Sequence, residues 1–314
     1  MKGKSSRHHH YLSQFYLKGF TRGRSKKSKL TVVNLKTQNK FETIPRNVGG
    51  VRDFNRIELE DADPEVLEQE LATFEGKVAT AIKAIEAQSK FDGDNKELVL
   101  NLIALLAVRS PEMRERFRKF HVDIAEIMMD LMLASKERWE SIVKRMREDG
   151  HEVDADVSYE DMKDFQERKA YRISVPREQH IHLEFVGIDA ILPALFERKW
   201  MLVRRAKGTG PFITTDKPVV LKWKNPENVP PVYRSSPGFG LKDTITFFPL
   251  SQDVVLVGEF EGKDGTIEAG EEQIAAINSV MMCSAYETIF TPKLEFPFIG
   301  QDGSVHMGSE LVEQ

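Results

Sequence analysis

Arg7-His8-His9-His10-Tyr11-Leu12-Ser13-Gln14-Phe15-Tyr16-Leu17-Lys18-Gly19-Phe20 puts three consecutive imidazoles, four aromatic rings and a basic flank into one stretch. Read with a helical period, it lines up Leu12, Tyr16 and Phe20 on one stripe, with Tyr11 and Phe15 beside them. The polar residues align too, His9 one turn before Ser13 and His10 one turn before Gln14. Histidine shuttles protons near neutral pH and binds metals through a neutral ring nitrogen, so His9 and His10 are the first candidates for chemistry. Adjacent histidines on a helix diverge by about 100°, so one metal shared by both requires an extended or kinked backbone.

Working outward, the charge is uneven. Residues 1–60 hold 14 Lys and Arg against 4 Asp and Glu, whereas residues 61–314 hold 31 against 45, within an overall charge of −4. Such a split points either to a surface that meets a polyanion or to one part of the fold docking on another. The densest basic run is Arg22-Gly-Arg24-Ser-Lys26-Lys27-Ser-Lys29. Arg7, Arg24, Lys26, Lys27 and Arg52 are the candidate phosphate contacts, with the solvated loop as the plainer alternative. Hydrophobic residues make up 40% and charged residues 30% of 314, the composition of a globular chain able to bury a full core. The single Cys283 rules out a disulfide framework and, with no apolar run near the ~18 residues of a membrane span, predicts a cytoplasmic protein without a membrane partner.

Leu30–Leu35 and Lys40–Ile44 flank a polar turn and predict a β-hairpin. Asn47-Val48-Gly49-Gly50-Val51-Arg52-Asp53-Phe54 reads as a close-approaching connection. Asp63-Pro64-Glu65 predicts a helix start, continuing to about Gln88 and carrying Glu70 and Glu75 near the core. Residues 94–109 predict a central apolar helix, and Ser110-Pro111 opens a long helix to about Glu148. That helix presents Ile124, Ile127, Met128, Leu131, Met132, Trp139, Ile142 and Val143 as a core stripe. Helices follow at about 159–171 and 181–198. From Trp200 the pattern turns to short β runs, with one more helix at about 270–284 and a strand at 285–290. The expected fold is α+β: a basic N-terminal helix and hairpin (1–60), a helical region (61–199) and a β-rich part (200–314) packed together, with one continuous domain as the alternative.

Phe212-Ile-Thr-Thr-Asp216-Lys-Pro218-Val219 is the second informative stretch. An apolar strand ends in Thr-Thr-Asp, and Pro218 holds Lys217 extended. Asp216 is therefore either a carboxylate presented at a strand end or an oxygen satisfying local backbone donors. Arg116 and His121 have the spacing of helical ribonucleases of the HEPN class. One cysteine and no His-Glu-x-x-His argue against zinc, and neither a Gly-x-Ser-x-Gly elbow nor a dinucleotide fingerprint occurs.

Taken in order, His9-His10-Tyr11, Tyr16-Leu17, Phe20, Asn47-Val48, Asp53-Phe54, Arg109-Ser110-Pro111, Phe212–Val219, Phe248-Pro249-Leu250-Ser251 and Asn278 resemble the family catalogued as domain of unknown function 4238. Ser13 stands where that family often has Pro. The resemblance implies that His9, His10, Asp216 and Asn278 belong to a recurring block pattern, and it carries no activity with it.

The expected function is cleavage of phosphodiester bonds in nucleic acid by a toxin or defence component. His9 or His10 acts as general acid or base, and Asp216 orients a histidine or holds a divalent metal such as Mg²⁺ or Mn²⁺. Gln14, Asp53 and Asn278 support them from behind. The alternative is a protein without chemistry that binds nucleic acid or an acidic partner.

Overall fold

The computed structural model describes residues 8–57, 63–154, 157–169, 171–235 and 237–312. Arg7 lies outside them. Helix and sheet mix as expected for α+β, with eight α-helices and four sheets among the described residues.

The opening stretch departs from its helical reading. His8–His10 is a strand (β1), and only Gln14–Leu17 is α-helical (α1), followed by a 3-10 turn at Lys18–Phe20. Ser13 is extended, and the amides of Tyr11 and Leu12 both donate to the Gly49 carbonyl, so a distant segment takes the donors that a helix would have used. Leu12, Phe15, Tyr16, Leu17 and Phe20 are nevertheless all buried. The hairpin forms as expected from β2 (Leu30–Asn34) and β3 (Lys40–Thr43), and the Asn34 side chain accepts from the amides of Lys36 and Thr37 to shape its turn. β4 (Gly50–Arg52) pairs antiparallel with β1, His9 opposite Val51.

α2 (Val66–Gln88) and α3 (Gly93–Val108) follow. α3 is central, burying Val99, Leu100, Leu102, Ile103, Ala104, Leu106 and Val108. The long helix is two: α4 (Pro111–Met132) and α5 (Lys136–Glu148), interrupted where extended Ser135 caps α5 by accepting from the Arg138 amide. The expected core stripe on α4 is solvent-facing instead. Ile124, Ile127, Leu131 and Met128 (64%) are exposed, while Trp139 and Val143 of α5 are buried. α6 (Tyr159–Glu167) and α7 (Arg177–Glu197) complete the helical run.

After α7 come β5 (Lys199–Arg205), β6 (Thr214–Thr215), β7 (Val220–Trp223), β8 (Thr244–Ser251), β9 (Val254–Glu259) and β10 (Gly265–Ala269). α8 (Glu271–Ser284), β11 (Thr288–Thr291), β12 (Pro297–Ile299) and β13 (Val305–Met307) close the chain. One sheet has the order β10-β5-β9-β8-β7, with only β10 and β5 parallel. The other, β3-β2-β11-β6, seats the N-terminal hairpin beside strands from the far end of the chain. β12 and β13 form a separate pair.

The chain divides into two compact units, Met1–Pro111 with Ile181–Gln314, and Glu112–His180. These do not coincide with boundaries near residues 60 and 199. The first unit's main core joins Leu12, Tyr16 and Phe20 to α2, α3 and the β8–β9 pair. The second unit has a small core of Leu133, Trp139 and Val143. No helix among the described residues is long and apolar enough to cross a membrane.

Candidate acid–base cleft

Alternation along β1 sends His9 inward and leaves His8 and His10 together on the other face. His9 is 1% exposed. Its Nδ1 accepts from the Asn55 amide at 2.9 Å, which puts the ring proton on Nε2, 3.2 Å from a Glu65 carboxylate oxygen. The pair that shares a surface is therefore His8 and His10, whose rings meet edge to face at 5.1 Å. His10 Nε2 lies 3.2 Å from the Arg46 carbonyl, so it is the donor there and Nδ1 keeps its lone pair. Burial above all, then the neighbouring His8, holds the His10 pKa below its ordinary 6.5, against the hydrogen bond to Arg46.

Asn55, fully buried, is the hub behind this strand. Its amide holds His9, its Oδ1 accepts from Arg109 Nη2 at 2.6 Å, and its Nδ2 donates to Glu68 at 2.5 Å. Arg109 caps the C-terminus of α3, where a cation is favoured. It also reaches the His10 carbonyl at 3.3 Å and lies 5.6 Å from the Phe54 ring centre. One turn apart on α2, Glu68, Leu71, Ala72 and Glu75 face the same space. Burial pushes the Glu75 carboxyl up to about 7, although the Arg109 guanidinium pulls the other way.

His10, Ser13, Gln14, Lys26, Glu68, Glu75 and Arg109 line a cavity of about 80 Å³. A wider one of about 400 Å³ is lined by His8, His10, Gln14, Arg46 and Asn47. His10 and Gln14 line both cavities, and the smaller one is the candidate cleft. Near neutral pH it combines a neutral imidazole, a carboxyl that holds its proton and two cations, Arg109 and Lys26. Such a set can move protons at both ends of a reacting anion.

The structure does not bring Asp216 to this cleft. Its carboxylate accepts from the amides of Tyr286, Glu287 and Thr288 at 2.8 to 2.9 Å, tying β6 to the start of β11. Asn278 is fully buried and clamps the same region, accepting from the Ile213 amide and donating to the carbonyls of Pro211 and Pro297. Gln14 lines the cleft, while Asp53 is buried two residues before the Asn55 hub, with φ +56. Of the candidate phosphate contacts, Lys26 lines the cleft and Lys27 is exposed. Arg52 is exposed with Nε 3.6 Å from Asp53. Arg24 is held by Glu86 and by Asp253 at 3.0 Å. Among the described residues no group of three or more His, Cys, Asp or Glu is arranged to hold a metal ion.

Asn55, Glu68 and Arg109 were not singled out from the sequence as site residues. The signal for two of them was present: Asn55 directly follows the Asp53-Phe54 block and Arg109 opens the Arg-Ser-Pro block. No curated protein and no solved structure matches this sequence. Residues 8–293 match the model of the family described as Protein of unknown function (DUF4238), and at that coverage the chain belongs to the DUF4238 family.

Proposed function

We propose that this protein cuts phosphodiester bonds in nucleic acid by acid–base catalysis in the cleft around His10. The observation that supports this reading most is the pairing in one cavity of His10, kept neutral near pH 7, with Glu75, kept protonated up to about 7. His10 Nδ1 takes the proton of the attacking water or hydroxyl as its oxygen bonds to phosphorus. The ester P–O bond breaks, and the departing oxygen takes the proton of Glu75. Arg109 and Lys26 face the developing negative charge, and Gln14 orients the phosphate between the two cavities. His9 positions the strand from behind through Asn55 and Glu65. Asp216, engaged with three amides, has no part in the step. We place the reaction in a reducing cytoplasm, in keeping with the lone Cys283, and read the protein as a toxin or defence component.

The test incubates the full chain with tRNA, mRNA and DNA in Mg²⁺, Mn²⁺ or EDTA. Cleavage is expected, falling by about 10²-fold or more in His10→Ala and Glu75→Gln. The rate should peak between the two titrations: an acid limb below pH 6.5, where His10 gains a proton, and an alkaline limb near pH 7, where Glu75 loses one. Expression of the wild type, and not of His10→Ala, should slow the growth of host cells. Salt-sensitive binding without cleavage under every condition would favour the second reading, a nucleic-acid-binding protein, for which the cations lining the two cavities, Lys26, Arg46 and Arg109, are the supporting observation.

A further inference from the structure

A second cavity lies between the opening turn and α2. It measures about 270 Å³, with Phe15 and Ile82 among its apolar walls and Lys18, Lys83, Arg24 and Glu86 among its polar ones. Its charges are not balanced. Glu86 is engaged by Arg24 and accepts from the Ser251 hydroxyl, and the other face of Arg24 meets Asp253. Among the described residues Lys18 and Lys83 have no carboxylate within ion-pair distance. Burial first, then Lys83, Lys26 and Arg24 as like charges, lower the Lys18 pKa against the attraction of Glu86. Lys26, in turn, lines the acid–base cleft.

In a chain of net charge −4, two lysines without an ion pair at the rim of a hollow raise a local positive potential that attracts an arriving anion. An apolar wall beneath a cationic rim suits a phosphate that carries a sugar or base, more than a bare ion. We infer that the Lys18–Lys83 cavity is a phosphoryl-binding subsite, taking a phosphate of a single strand whose neighbouring segment lies in the cleft at Lys26. The inference rests on the nucleic-acid reading for the identity of its ligand and is independent of whether the cleft is catalytic.

The probe is a fluorescently labelled single-stranded oligonucleotide of mixed sequence, titrated with the full chain between about 50 and 200 mM salt. For the Lys18→Gln/Lys83→Gln double variant, the slope of log affinity against log salt should fall by about 0.7 per lysine removed, and Lys18→Arg/Lys83→Arg should restore it. Both side chains reach solvent, so the variants keep the fold, checked by circular dichroism. An unchanged slope overturns the strand as the ligand, as does a wild type that binds no strand, and with no lysine-dependent binding of pyrophosphate either, the phosphoryl subsite itself falls. Inorganic pyrophosphate distinguishes the sources: lysine-dependent binding of pyrophosphate with an unchanged strand slope assigns the cavity to a small free phosphoryl compound and overturns the strand. A wild type that never cleaves yet shows the slope change leaves the subsite standing and removes only the catalytic reading.

Discussion

Glu75 carries a consequence for stability that is separable from any activity. Its carboxyl is raised from 4.5 to about 7 in the fold, so the folded state binds this proton more tightly than the unfolded chain does. The contribution is complete below the unfolded value and is lost as pH rises through the folded one, an effect of roughly 3 kcal/mol across that interval. Glu75→Gln lacks the titrating group. Urea denaturation should therefore show the variant gaining on the wild type from pH 5 to pH 8, and parallel pH–stability curves would sink the assignment. At this scale the sequence was legible in residue type and only half legible in role. Both the site reading of Asp216 and the backbone-satisfying reading follow from Thr-Thr-Asp at a strand end. What separates them is where the amides of Tyr286 to Thr288 arrive, and that depends on a strand pairing seventy residues away. His10 was a candidate from the outset, but Glu75, which lines the same cavity, was legible only as a carboxylate near the core, because burial is a property of the assembled cleft.

The element that misled is the opening strand. Apolar residues at Leu12, Tyr16 and Phe20 satisfy a helical period, yet the same spacing is produced by the bend after a strand, one helical turn and a 3-10 turn all facing the core. Gly49 and Gly50 decide between them. Gly49 has φ +67, and its carbonyl takes both the Tyr11 and Leu12 amides; a Cβ there would lie 2.9 Å from that of Leu12. The His8 ring lies over Gly50. Gly49→Ala should thus cost about 2 kcal/mol through the left-handed backbone alone, lowering Tm by about 5 °C. Gly76→Ala on α2, where a new Cβ meets nothing within 4 Å, should instead stabilise by about 0.5–1 kcal/mol. Calorimetry on the two variants checks this: equal shifts of the same sign would mean β1 and β4 are not held as described. The hairpin, α2 and α3 were legible because their periods and turn residues are local. The break before α5 and the outward face of α4 were not, because an amphipathic stripe says which side is apolar and not what covers it.

Across the whole molecule, the charge split resolves in part into internal docking. Arg24 reaches Glu86 and Asp253, Lys36 reaches Glu287, and Arg56 reaches Glu65, so several N-terminal cations meet acids from later in the chain. The same segment enters both large layers of its unit. β2 sits between β3 and β11, the Gly19 carbonyl accepts from the Gln252 amide, and the Tyr16 hydroxyl bonds Thr214 and the Pro249 carbonyl. An N-terminal region ending near residue 60 is therefore not expected to be dispensable. Removing residues 1–34 takes Leu12, Phe15, Tyr16, Leu17, Phe20, Leu30, Val32 and Val33 out of buried positions. At about 2 kcal/mol each, these amount to on the order of 15 kcal/mol, as large as the whole stability of an ordinary domain. The truncation also opens the edge of β11 and strips the buried Thr214 hydroxyl and Pro249 carbonyl of their Tyr16 partner. A chain beginning at Leu35 should fail to melt cooperatively and should bind a dye that reports exposed apolar surface, whereas a soluble product with the full-length melting profile would show that the remaining sheets hold without β2.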